Sequence, residues 1–212
     1  MTGTHRPQTA RDAARHGPAL KQERAFQTRA LILDKAAELF SESNYRSVSM
    51  QDVADRVGMT KGAVYFHFRS KEALAAAVVA CHYERWPPVV EEIRNGGLSP
   101  LEAVEELLDR AALAFRDDPI MQAGTQLQLD RDTINAELPA PYVYWTNLLT
   151  DLLDAARAEN QLRTGVRPDS AARALVAAFF GIQHISHTLT RHGDIVGRWQ
   201  ELRELFFHSL RA

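Results

Sequence analysis

Between Thr60 and His67 the chain collects Thr60, Lys61, Gly62, Tyr65 and His67, a cationic, hydrogen-bonding and aromatic set. Side chains of these types suit the phosphates and base edges of a DNA major groove. To present them together they must lie on one face of a short helix, and the flanking residues supply one. Ser49 followed three residues later by Asp52 reads as a capping box. Met50, Val53, Ala54 and Val57 then form an apolar face at helical spacing. Gly58 stands where a sharp turn needs φ > 0, which a residue without Cβ adopts cheaply. Thr60 can cap a second helix, Lys61 to about Phe66, with Val64 and Phe68 turned inward. Two helices so joined read as a helix-turn-helix. The competing reading is a small three-helix packing unit whose polar residues are merely solvated.

A second set is aromatic and amide. Tyr83 and Trp86 end one helix, Gln126 and Gln128 lie on another, Tyr142 and Trp145 begin a third, and Phe179 and Gln183 sit on a fourth. Rings with a few hydrogen-bonding groups wall a pocket for a small, mostly apolar, oxygenated molecule. The alternative is a core in which the rings fill volume and the glutamines face water. No G-x-S-x-G, H-E-x-x-H, Walker or G-x-G-x-x-G motif occurs, so no catalytic residue is assigned and no cofactor is expected. His184 and His187 lie three apart on one helix, but no carboxylate pair accompanies them, so no metal site is assigned.

The elements that carry these sets are all helical. Residues 1–21 mix Arg, Thr, Pro and Gly without a period and read as a flexible basic arm. A helix follows over about 22–43, then the helix-turn-helix to residue 70, and a body over 71–212. Ser70 caps a helix that Pro87-Pro88 interrupts near Trp86, with a weak continuation to Ile93. Ser99-Pro100-Leu101-Glu102 opens a helix to about Arg116, Asp118-Pro119 another to about Asp132, and Pro141 a third to about Asn160. Residues 169–191 are apolar over most of their circumference, and 194–211 form a last amphipathic helix. That closing pair reads either as covered within one subunit or as half of a four-helix interface between two copies. The expectation is an all-α chain of about nine helices.

Charge divides along the same boundary. Residues 1–71 hold 12 Lys/Arg against 7 Asp/Glu, and residues 72–212 hold 13 against 20, within an overall charge of −2. Only the basic front is suited to approach a polyanion. A single cysteine, Cys81, fits a reducing cytoplasm, no signal peptide is visible, and no apolar run reaches membrane-spanning length.

The segment TKGAVYFHFRSKEAL closely resembles the recognition helix and following residues of TetR-family transcriptional repressors, with a specific resemblance over about Thr28 to Leu74. It implies a homodimer that binds a palindromic double-stranded operator and is released by a small ligand. Lys61, Gly62 and Tyr65 would face base edges or adjacent phosphates, with Ser49, Thr60, His67 and Lys71 at phosphates and helix ends. In the body, HYERW, GTQLQLD, PYVYW and FFGIQ resemble the butyrolactone-type signalling receptors of that family, which bind lactones or furans in antibiotic-producing bacteria. Trp145 matches their pocket tryptophan, and Tyr83, Gln128 and Tyr142 match polar positions of the furan-binding branch. A ligand bridging these residues would draw their helices together and swing the helix leading from the head. The rival readings are a TetR-like sensor of xenobiotics, and a helical binder or enzyme without DNA function.

Overall fold

In a computed structural model the described residues are 9–212, with side chains described from Lys21 onward. Among them are ten α-helices: α1 Thr9–Glu42, α2 Met50–Val57, α3 Lys61–His67, α4 Lys71–Glu84, α5 Trp86–Asn95, α6 Pro100–Asp117, α7 Pro119–Leu129, α8 Val143–Ala158, α9 Pro168–Thr190 and α10 Ile195–Leu210. No strand occurs among the described residues, only an isolated bridge between Leu162 and Arg211.

Three boundaries differ from the sequence expectation. Helix α1 reaches back to Thr9, so part of the expected arm is helical, and residues 1–8 lie outside the described residues. The segment after the prolines is a helix of its own, the tenth. Pro87 and Pro88 fall in the first turn of α5, where an amide donor is not needed, so they start a helix rather than ending one. Helix α8 begins at Val143 instead of Pro141, because Tyr142 before it adopts φ 65°. A bulky side chain there is strained by roughly 1–2 kcal/mol.

Two apolar cores result, and they do not divide at residue 70. One joins Ile32, Ala36 and Phe40 of α1 with Val53, Val64, Leu74 and Val78, and also with Ile120, Ala123 and Leu127 of α7. The other joins α5, α6, α8, α9 and α10 around Leu107, Phe115, Trp145, Leu149, Phe179 and Trp199, and takes Met121 from α7. Helix α7 therefore has one face in each core. Helices α6 and α10 are further tied by polar bonds: Arg203 and Arg211 both pair with buried Glu105, and the Trp199 indole donates to Asp109 at 2.5 Å.

Candidate functional site

The head is built by local signals. Asp52 N–H donates to Ser49 Oγ (3.2 Å) while Ser49 N–H donates to Asp52 Oδ2 (2.7 Å), closing the capping box of α2. These bonds hold the Asp52 carboxyl below its ordinary range. Gly58 closes α2 at φ 73°. Thr60 Oγ1 accepts from Ala63 N–H (3.2 Å) and starts α3. With Val64 and Phe68 buried, Lys61, Gly62, Tyr65 and Phe66 are left exposed on α3, and His67 half-buried. The structure thus places Lys61, Gly62, Tyr65 and His67, four of the residues read as base or phosphate contacts, together on α3, with Ser49 exposed at the start of α2.

Lys71 stands apart from them. Its ammonium lies 4.0 Å above the Tyr45 ring and is half-buried, and the loss of solvent lowers its pKa. Tyr45 in turn donates to Glu72 Oε1 (3.1 Å), and burial and that carboxylate push its phenol up to about 12. In this arrangement Lys71 ties the 3₁₀ turn Tyr45–Ser47 to the start of α4, instead of reaching outward as a phosphate contact would.

The second site lies where α4, α7, α8 and α9 meet. Tyr83, Gln128, Tyr142 and Trp145 line one small cavity there, with His82, Thr125, Pro141 and Phe180. Its volume is about 10 Å³, room for about one water. The walls touch each other: Tyr142 packs on Phe180 with ring centroids 4.9 Å apart, and Trp145 on Trp86 at 4.6 Å. Gln128 Nε2 donates to Tyr83 Oη (3.2 Å) and to the Pro139 carbonyl (3.1 Å), but its own Oε1 is buried without a partner. The Trp145 and Trp86 indole N–H groups are likewise buried and unpaired. Burial raises the pKa of Tyr83.

Three expected pocket residues are placed otherwise. Phe179 packs between Phe115 and Trp199 in the body core, and Phe180, about 100° further round α9, faces Tyr142 and Trp145 in its stead. Gln183 is buried but does not line the cavity, and Trp86 stands behind Trp145. His82 is the residue that sequence reasoning missed. Its spacing from Leu74, Ala75, Val78 and Val79 marks it as inward-facing. It is 3% exposed, its Nδ1 lies 3.2 Å from the Met121 carbonyl, and burial lowers its pKa to about 4. The ring is therefore neutral near pH 7, with the proton on Nδ1 to donate to that carbonyl. Gly124 makes room for it: a Cβ at that position would stand 2.5 Å from His82 Cβ and Cγ.

Among the described residues no group of three or more His, Cys, Asp or Glu is arranged to hold a metal ion, and no helix is long and apolar enough to cross a membrane.

Residues 32–78 match the model of bacterial regulatory proteins of the tetR family, and residues 99–211 match that of the tetracyclin repressor-like C-terminal domain. The chain belongs to the TetR family. Among TetR relatives it is 31% identical over 182 residues to the A-factor receptor protein of Streptomyces griseus, covering 86% of this chain and 63% of that relative's length. A solved structure on the control of antibiotic production by bacterial hormones is 63% identical, with a TM-score of 0.82, over 88% of this chain and 98% of that one. The TetR-family protein CprB of Streptomyces coelicolor, solved with its operator sequence, is 30% identical at a TM-score of 0.80, over 89% of this chain and 90% of that one.

Proposed function

We propose that this TetR-family chain is a non-enzymatic, cytoplasmic repressor of secondary-metabolite genes. It binds a palindromic operator as a homodimer and is released by a small lactone- or furan-type signalling molecule. The observation that carries the ligand reading is the small cavity at α7. Gln128 Oε1 and the Trp145 N–H, both buried and unpaired, offer an acceptor and a donor to an oxygenated, mostly apolar molecule. Leaving such groups unpaired costs roughly 1–3 kcal/mol each, which a ligand bonding to them recovers. The operator reading is supported by the exposed polar face of α3 and by the relative solved on its operator. The homodimer is supported by apolar residues left exposed on one stripe of α9, namely Ala174, Ala177, Ile185 and Leu189, with Leu205 of α10.

The cavity's size also sets the direction of the response. A lactone-sized ligand needs a few hundred Å³, and about 10 Å³ is present. The ligand therefore wedges α7, α8 and α4 apart, the reverse of drawing them together. Helix α7 is packed into both cores, so separating its neighbours shifts the head against the body. Turning a 99:1 operator-competent population to 1:99 takes about 5.5 kcal/mol of differential binding, roughly 2.7 from each of two pockets.

Gln128→Leu tests the reading better than truncating Trp145, which is a core residue whose loss would cost roughly 3–5 kcal/mol. The leucine removes two hydrogen bonds together with the unpaired oxygen, so melting should move little. Operator affinity in a gel shift should match wild type, while the inducer concentration that releases DNA rises roughly tenfold or more. A mutant released at wild-type inducer concentrations would place the effector elsewhere.

A further inference from the structure

Phe66 is 81% exposed, the most exposed large apolar side chain among the described residues. It stands on α3 beside Tyr65, itself 42% exposed, with exposed Lys61 and Arg69 toward either end of the segment. A long side chain on a helix leans toward the N-terminus and covers the turn before it. For Phe66 that turn holds Gly62, where an added Cβ would meet nothing nearer than Thr60 Oγ1 at 4.0 Å. The Phe66 ring itself comes no closer to that point, so it stands out from the helix into solvent. The His67 imidazole steadies it from one side, edge-on at 5.2 Å and 90°. A phenyl ring has no hydrogen-bond donor or acceptor, so it cannot read the polar pattern of a base pair. The major-groove edge carries one apolar group, the C5-methyl of thymine.

We propose that Phe66 is a specificity-determining residue that reads a thymine methyl in each operator half-site, in addition to the polar contacts of Lys61 and Tyr65. The proposal rests on the reading of α3 as the DNA-contacting helix. Gly62 lets the backbone come close enough for the ring to reach the base edge, and the flanking cations match the phosphates on either side.

The test replaces thymine by deoxyuridine, which deletes that methyl and leaves base pairing intact. The probe is the duplex that wild-type protein selects from a random-sequence pool. Each symmetric pair of thymines is changed in turn, and affinities are measured for wild type, Phe66→Ala and Phe66→Leu. One pair should weaken wild type about fifteenfold, from about fourfold per buried methyl. The same change should leave Phe66→Ala within twofold of its own affinity for the thymine duplex, with Phe66→Leu in between. Because the side chain is so exposed, all three proteins should melt together. The proposal is overturned if no uracil pair affects wild type, which would leave the ring against the sugar–phosphate backbone. It is also overturned if wild type and Phe66→Ala lose equally at the same pair, which assigns the methyl to another side chain. A wild type that selects no sequence from the pool would overturn the operator reading itself.

Discussion

Gly124→Ala tests whether the α4–α7 contact couples the cavity to the head. The new methyl carbon would lie 2.5 Å from His82 Cβ and Cγ, against an ordinary carbon–carbon contact of about 3.5–4.0 Å. Rotating the imidazole cannot relieve this, because Cβ itself is struck. The ring is also held by the Met121 carbonyl and by Tyr83 and Phe115. The helices must therefore part by about 1 Å, and overpacking of this kind costs roughly 1–3 kcal/mol. From His82 to the start of α4 at Lys71 the helix runs about 16 Å, so 1 Å at one end is a tilt of about 3–4°. Carried to both heads of a dimer, that changes the spacing of the two α3 helices by about 2 Å. Half-sites are fixed on the duplex, and hydrogen bonds weaken steeply over such a displacement. The mutant should melt earlier and bind operator at least roughly tenfold more weakly without inducer, as though part-induced. Gly124→Ala with His82→Gly, which hands the gap to the other helix, should recover operator affinity. If Gly124→Ala keeps wild-type operator affinity and inducer response, the contact carries no signal. The same conclusion follows if the double mutant regains stability but not DNA binding.

Lys61→Ala and Tyr65→Ala should each weaken operator binding by roughly 1–3 kcal/mol without altering the melting temperature, since both side chains are exposed. If Lys61 touches one phosphate in each half-site, its mutant's salt slope in a titration should also fall by about 1.8, about 0.9 per protomer; unchanged affinity in both would remove α3 from the interface. A pH series addresses His82, whose pKa of about 4 in the fold lies below its ordinary 6.5. The unfolded chain takes up the proton first, so stability is complete above about pH 6.5 and is lost as pH falls toward 4, by about 3 kcal/mol in all. His192, also held near 4 by burial, acts in the same sense. His82→Gln should therefore flatten, without abolishing, the rise in denaturant midpoint between pH 4 and 6.5; an unchanged slope would refute the buried neutral assignment.

The head was legible in the sequence because its signals are local. Ser49 and Asp52 are three residues apart, Gly58 is the turn, and Thr60 caps the next helix, so each device is complete within one turn of chain. The cavity was legible only in outline. Tyr83, Gln128, Tyr142 and Trp145 converge as the resemblance implied, but Phe179 and Phe180 are adjacent, equally apolar and equally suited to a helix. Only the partners on each side decide between them: Trp199 takes the Phe179 ring, and Tyr142 and Trp145 take Phe180, while Phe115 touches both.

Gly124 and His82 show the same limit more sharply. A glycine within a helix weakens it by roughly 1 kcal/mol, and nothing within GTQLQLD explains why the chain accepts that. The explanation is 42 residues away in sequence, where His82 fills the space a Cβ would take. Helix α7 is likewise an ordinary amphipathic segment until its two faces are assigned, Met121 to the body core and Ile120, Ala123 and Leu127 to the head core. Gln128 lies on that same helix, with an unpaired oxygen at the cavity. On the proposed reading a ligand held there would act on the one helix that, among the described residues, both cores share, and Gly124 sets how closely that helix lies against the helix leading to the head.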